Sequence, residues 1–396
     1  MKKLFANLIQ GIFLISSTVT TLTVLLIVFF LFSEGLSVFN ENPLEGDNIL
    51  AVNKSNTVST ITAAEIKNIF DRKITHWSEL GGKKDSIILF TFNDLSSYFT
   101  EDELGKNFEL LPHKIDSLIS AQPGIIAVFS KKQIAADFKG KFIVIPNVNL
   151  SEFIQGKEWF PTAHPAVQLG ALPLILGTLW VSLIAILIAL PIGLATAIYM
   201  AEVANSRMRN LLKPVIELLA GIPSVVYGFF GLIIIVPMIQ NVFNLPVGET
   251  ALAGSIVLAI MALPTIITVS EDAIRNTPRA MKEASLALGA NRWQTITRVV
   301  IPYSISGISA AAILGIGRAI GETMAVLMVT GNAAIIPHTI LQPVRTIPAT
   351  IAAELGEAPN GGIHYKALFA LGCILFIFTL IINLWVEYIS RKHKNR

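Results

Sequence analysis

Thr277-Pro-Arg-Ala-Met-Lys-Glu-Ala-Ser-Leu-Ala-Leu-Gly-Ala-Asn-Arg-Trp-Gln-Thr-Ile-Thr-Arg-Val-Val-Ile-Pro302 is a polar, Arg-rich stretch held between two apolar runs. Pro278 suits the first turn of a helix, where a missing N–H costs nothing. Glu283 to Leu288 is helix-forming, and Gly289 can end that helix or admit a sharp bend. A second short helix then runs to Ile301-Pro302. The flanking runs, Thr250–Ser270 and Ser304–Thr330, are each long enough to cross a bilayer, which takes about 20 apolar residues. A short amphipathic helix fixed between two spans can sit in a groove of a soluble motor and pass on a push as a rigid body. As an ordinary surface loop it would only join the spans. A DNA-binding helix–turn–helix has a similar outline, but one between two apolar spans has no path to DNA.

Outward from this loop the chain stays apolar. Of its 396 residues, 53% are hydrophobic and 14% charged, against roughly a quarter charged in soluble domains. Lipid is therefore the solvent for much of it. Six runs read as spans: Leu8–Phe32, Leu172–Met200, Leu212–Gln240, Thr250–Ser270, Ser304–Thr330 and Ala367–Ile389. The first follows Met1-Lys2-Lys3, as a signal peptide would, but its apolar part is too long and no small-residue cleavage site follows Phe32. It reads as a retained span. Lys2, Lys3, Arg207, Arg209, Lys213, Arg275, Arg279, Lys282, Arg292, Arg298, Arg391, Lys392, Lys394 and Arg396 fall on one side, against Arg345 and a span-edge Lys366 on the other. The positive-inside rule then places both termini in the cytoplasm and the long segment between spans one and two on the far side. The net charge of +3 is small, and no basic–aromatic block suggests nucleic acid. Cys373, the one cysteine, sits in an apolar run and reads as a small buried or lipid-facing residue.

Residues 49–148 have a different texture, with mixed charge and soluble-domain alternation. Val58 to Phe70 starts with polar caps and runs into an amphipathic helix. Ser86–Phe92, Pro123–Phe129 and Phe142–Pro146 read as strands. Together they predict a small α/β domain inserted between helices one and two. The expected division is an N-terminal span at 1–40, the insert at 41–150, and a five-helix core at 151–396 with its cytoplasmic loop at 271–302.

Certain residues carry a resemblance. Glu283-Ala284-Ser285, Gly289 and the close at Ile301-Pro302 are similar to the EAA loop of ABC importer permeases, with mild departures at Ser285 and Ile301. Phe153-Ile-Gln-Gly-Lys-Glu-Trp-Phe-Pro161, Leu172–Trp180, Ala220-Gly-Ile-Pro-Ser-Val-Val-Tyr-Gly228 and Gly315-Ile-Gly-Arg-Ala-Ile-Gly-Glu-Thr-Met-Ala325 resemble the phosphate-specific importer permeases, the PstC type more than its PstA-type partner. Thr62–Gly82 and Gln122–Val128 resemble part of the periplasmic phosphate-binding proteins. In those proteins a Ser/Thr/Gly-rich loop holds phosphate. The corresponding Thr91-Phe-Asn-Asp-Leu-Ser-Ser-Tyr98 lacks a Gly-Ser-Gly core and carries Asp94. The insert is therefore expected to dock partners or guard the entrance. The competing expectation is a retained anion site using Ser96 and Ser97.

The resemblance implies an all-α integral membrane protein with six transmembrane helices, a type I ABC importer permease in the bacterial inner membrane, with the α/β insert in the periplasm. It implies as partners a PstA-type permease, a PstB-type ATPase dimer and a PstS-type phosphate-binding protein. No Gly-Lys-Ser/Thr loop with the required upstream glycine occurs, so ATP would be hydrolysed by a separate subunit. No catalytic set, metal cluster or cofactor is expected. Glu283, Ala284 and Gly289 would couple to the ATPase.

Arg318 and Glu322 lie four apart within the fifth apolar run, hence on one helical face. Charges in a bilayer are costly and usually face a bundle interior or an aqueous cavity. A structural ion pair would serve packing alone. As a substrate-pathway pair, Arg318 would offer a planar fork of donors to an oxyanion, with Glu322 neutralising it when the path is empty. The matching residues of the resembling family are associated with transport. Ser224 and Tyr227 are candidate anion contacts. Glu271 and Asp272 read as interfacial caps or surface charges, Glu202 as solvated, and His338 and His364 as outer-loop residues. Other oxyanions, such as phosphonate or sulfate, and a phosphate-sensing role stay open as alternatives.

Overall fold

The computed structural model describes residues 2–44, 46–105 and 107–394, with side chains for 9–388 among them. Arg396 lies outside the described residues, as do the side chains of Lys2, Lys3, Arg391, Lys392 and Lys394. The chain divides into two compact units. One holds residues 36–171 and 359–367, and the other holds the remaining described residues.

Among the described residues six helices are long and apolar enough to cross a membrane: Ile9–Asn40, Leu172–Val203, Ser224–Phe243, Ala251–Arg275, Arg292–Gly321 and Ile363–Tyr388. The fourth is the most buried and forms the centre of the bundle. Its small residues allow the close backbone approach on which lipid-embedded helices rely. A Cβ on Gly254 would come within 2.4 Å of Thr330 Cγ2, and one on Gly307 of span five within 2.3 Å of Ala273 Cβ. The first span packs on the sixth through edge-on Phe30–Phe369 and Phe32–Phe376 pairs, and buried Cys373 donates its S–H to the Leu31 carbonyl.

Two span assignments change. The run expected as Leu212–Gln240 is two helices. Ser206–Ala220 is amphipathic and capped by Asn205, and the span begins only at Ser224. Pro223 lacks an N–H and sits in extended conformation, so the helix cannot pass through it. The fifth span starts earlier than Ser304 and stops earlier than Thr330. Arg292–Thr295 runs through a π turn at Ile296–Val300 into Ile301–Gly321, so the expected second loop helix is the first turns of the span itself. Glu322 then turns extended, with ψ 133°, and Met324–Val329 forms a separate short helix. His364 lies inside the sixth helix and is buried.

The second unit is an α/β domain around a four-stranded mixed sheet, in the order β2 (Ile88–Thr91), β3 (Ile125–Ser130), β1 (Asn48–Val52), β4 (Lys141–Ile143). β2 is parallel to β3, while β1 is antiparallel to both β3 and β4. The period of two in strands builds two cores. Leu50, Val52, Ile126 and Val128 face Ile66, Ile69 and Trp77, whereas Ala51, Ile125, Ala127 and Phe129 face Leu111, Ile115 and Ile119. Thr62 and Glu65 close a capping box at the start of helix Ala63–Phe70, and the Trp77 indole donates to the Gly124 carbonyl at 2.9 Å. Residues 151–171 fold with this unit, where Phe153 and Trp159 are fully buried.

Candidate functional site

Three places in the helical unit bear on the expected site residues. The first is the loop after span four, where Arg279–Ala287 forms a nine-residue helix. Gly289 follows at φ 85°, a left-handed conformation that stops the helix without strain for glycine alone. Asn291 then caps the next helix through a box with Gln294. Glu283, Ala284 and Leu286 are exposed, with Leu288 at 89% and Trp293 at 65%. Exposed large apolar groups beside polar ones are what a protein partner covers. Lys282 and Ser285 face inward instead. Lys282 pairs with Glu202, and the Ser285 and Thr295 hydroxyls lie 3.0 Å apart. Glu202 is therefore largely buried and ion-paired rather than solvated.

The second is Glu271, which is 1% exposed. Arg209 Nε donates to its Oε1 at 2.9 Å, Lys213 lies at 3.7 Å from Oε2 and Arg275 at 3.7 Å from Oε1. The expected surface charge is thus a buried hub, and its neighbour Asp272 is the exposed member, 3.8 Å from Lys213. A buried carboxylate costs several kcal/mol in desolvation, which this ring of cations offsets. It pins the amphipathic helix Ser206–Ala220 to span four.

The third is Arg318. It is half-buried near the end of span five, and its guanidinium donates to Thr265 Oγ1 of span four at 3.4 Å. Thr265 is ten residues before Arg275, roughly 15 Å along the helix, which places the charge well inside the bundle. Glu322 does not pair with Arg318. The helix ends at Gly321, so the i, i+4 face on which the pairing rested does not exist, and the Glu322 carboxylate accepts from the Ala325 N–H at 3.4 Å. Among the described residues Arg318 has no carboxylate within ion-pair reach.

Of the proposed anion contacts, Ser224 is half-buried in the first turn of span three, and Tyr227 is buried. The Tyr227 hydroxyl donates to the Leu219 carbonyl at 2.7 Å. It bridges the Gly221–Pro223 break, so its proton is committed in this conformation. Gly228 permits the short helix Met324–Val329 to approach, since a Cβ there would meet Ala325 Cα at 3.0 Å. Sequence reasoning missed Thr265 and the Glu202–Lys282 link. The spacing of Arg209 and Lys213, one turn apart on an amphipathic helix, was the available signal for the hub at Glu271.

In the insert, a cleft of about 1080 Å³ opens at the ends of β2 and β3, lined by Arg72, Thr91, Asp94, Ser130, Gln133 and His164 among others. Asp94 Oδ2 accepts from both the Thr91 N–H, at 2.9 Å, and the Thr91 hydroxyl, at 2.7 Å. Ser96 and Ser97 are exposed and lie outside the cleft lining. Among the described residues no group of three His, Cys, Asp or Glu side chains comes together as a metal site.

Residues 189–395 match the family described as binding-protein-dependent transport system inner membrane component, and residues 45–148 match the PBP superfamily domain. The chain is 39% identical to the "Probable ABC transporter permease protein YqgH" of Bacillus subtilis strain 168, over 63% of this chain and 81% of that protein. It is 37% identical to the phosphate transport system permease protein PstC of Mesorhizobium japonicum, again over 63% and 81%. A structure of the MetNI methionine ABC transporter in inward-facing conformations aligns with 56% of this chain and 94% of that chain, at TM-score 0.46 and 18% identity.

Proposed function

This chain belongs to the family of binding-protein-dependent transport system inner membrane components, and from that premise we propose that it is the PstC-type permease of an ATP-driven importer of inorganic phosphate. It is a multi-pass inner membrane protein that works with an ATPase and a binding protein. Its partners would be a PstA-type permease, a PstB-type ATPase dimer and a PstS-type binding protein. The termini would be cytoplasmic and the insert periplasmic. The chain itself does no covalent chemistry in this reading, and ATP is hydrolysed by the partner.

One observation carries the anion assignment: Arg318, deep in the bundle, rests on a hydroxyl rather than a carboxylate. An arginine left without a counter-ion in a low-dielectric bundle attracts an oxyanion, and its fork suits two oxygens of phosphate. Thr265 holds the guanidinium in place. Glu322, turned out of the helix beside the Ala325 amide, leaves the guanidinium without a fixed counter-ion. The loop helix with Glu283, Ala284 and Gly289 is the surface for the ATPase, and its exposed Leu288 and Trp293 would be covered there. Closure of the motor would move this loop and reorient the spans around Arg318. The insert is a docking element, since Asp94 already uses the donors that an anion would need.

Reconstitution in proteoliposomes with the ATPase, second permease and binding protein tests this. ATP-dependent uptake of labelled phosphate is expected, with unlabelled phosphate competing better than sulfate or phosphonate. Uptake indifferent to ATP, or best competed by sulfate, overturns the reading. Calorimetric titration of the full chain with phosphate should show no micromolar site, and finding one that depends on the insert would sink its docking role.

A further inference from the structure

We propose that the Lys282–Glu202 ion pair is the link through which the loop helix Arg279–Ala287 moves the second span; the inference rests on the permease reading above. The loop helix is tied by the chain itself to two spans. Thr277-Pro278 joins it to span four, and Gly289 to Asn291 joins it to span five. Span two lies 80 residues away in sequence, and Lys282 reaches it at Glu202.

The geometry around this pair is built for transmission. Glu202 sits in a π turn, Tyr199–Val203, which ends span two. On the other side, Ser285 meets Thr295 at the mouth of a second π turn, Ile296–Val300, which opens the body of span five. Lys282 and Ser285 are three apart and so share one face of the helix. That face carries both links, while Glu283, Ala284 and Leu286 stay exposed for a motor. Val300 of the second π turn and Ala201 of the first both pack into one apolar cluster with Ala197, Ile274 and Ile308. A π turn is a helix with one extra residue per turn, a common feature of functional sites. A push on the loop helix reaches such a turn as a change of register rather than as a bend of the whole span.

The side chains of Lys282 and Glu202 are 22% and 14% exposed. Water screens such a pair less than a surface pair, so it holds position under load. The pair is a positioning device and touches no substrate.

The test uses the assembled complex in lipid, with two readouts. One is ATP hydrolysed per labelled phosphate imported. The other is the ATP-dependent distance change between spin labels on spans two and four, which does not depend on the identity of the transported anion. Lys282→Gln and Glu202→Gln should each raise the ATP-to-phosphate ratio roughly ten-fold, the scale of one lost coupled contact, and abolish the span-two movement while ATP hydrolysis continues. Lys282→Arg, which keeps the pair, should retain both. The double swap Glu202→Lys with Lys282→Glu should recover most of the movement. Single variants with a wild-type ratio and movement overturn the inference. So does a swap that couples no better than the singles. If the unmodified complex shows ATP-driven movement but carries no phosphate, the substrate assignment falls while the movement readout still decides the link.

Discussion

Glu271 and Glu202 sit among cations, whereas Arg318, in the same bundle, leans on a hydroxyl and has no carboxylate within ion-pair reach. The two regions spend charge differently. Around Glu271 the charges satisfy one another and fasten the amphipathic helix to span four. Such a cluster is closed, because a further anion would meet the buried carboxylate. Around Arg318 no carboxylate closes the positive charge, which is why the anion is proposed to bind there. The contrast shows why a bilayer-embedded charge cannot be assigned from its presence alone: its counter-ion, or the lack of one, separates a fastener from a binding group.

Arg318→Gln should have the largest effect. Uptake per assembled complex is expected to fall roughly a hundredfold, as for a lost charge-assisted contact, with insertion and assembly unchanged. Transport at the wild-type rate would break the comparison, since Arg318 would then be another fastener. Glu271→Ala should act in the opposite place. Removing one partner of a buried pair costs about 3–5 kcal/mol, so a lower melting temperature and reduced membrane abundance are expected, with uptake kept in the protein that survives. An unchanged melt would mean that the ring of cations does not need its carboxylate.

Gly228→Val sharpens the boundary between packing and function. Its Cβ would meet Met328 Sδ at 2.8 Å and Ala325 Cα at 3.0 Å. Overpacking of about 1–3 kcal/mol is expected, readable as a drop in melting temperature. The smallest effect belongs to the insert. Lys67 holds the Asp71 carboxyl below the usual range, the Thr75 and His76 amides do the same for Glu79, and the Thr100 amide for Glu103. A depressed folded value stabilises above the unfolded value near 4 and is lost as pH falls through the folded one. The Lys67 ammonium, raised mainly by Asp71 and Glu158, contributes below its unfolded value and is lost at high pH. Trp77 fluorescence, with the other tryptophans replaced by Phe, should therefore report a mild loss of insert stability only below about pH 4 and at strongly alkaline pH. A midpoint shift centred near neutrality would contradict these assignments.

Much of the fold was legible because lipid imposes a simple requirement: a run must be apolar and long enough. All six spans could be counted, and the loop helix ending at Gly289 could be placed from its composition. In the insert, the strands at 88–91, 125–130 and 141–143 and the helix at 63–70 follow from alternation and capping. The central strand Asn48–Val52 escaped notice, although Ile49-Leu-Ala-Val52 is a short apolar run of the kind a strand buried on both faces requires. Helix Leu111–Ala121 was also missed.

The sequence by itself determined that the chain lives in a membrane, that an α/β domain interrupts it after the first span, and that an arginine lies within the fifth apolar run. These are local properties of composition and period. Only the tertiary structure decided which charges are closed. Pro223 and the turn at Glu322 break two helices that hydropathy reads as continuous, because hydropathy registers apolarity and not backbone hydrogen bonding. With the second break, the expected Arg318–Glu322 face disappears. Glu271 changed from a surface charge to a buried hub because its partners, Arg209 and Lys213, come from a helix about sixty residues earlier, and only folding brings them together.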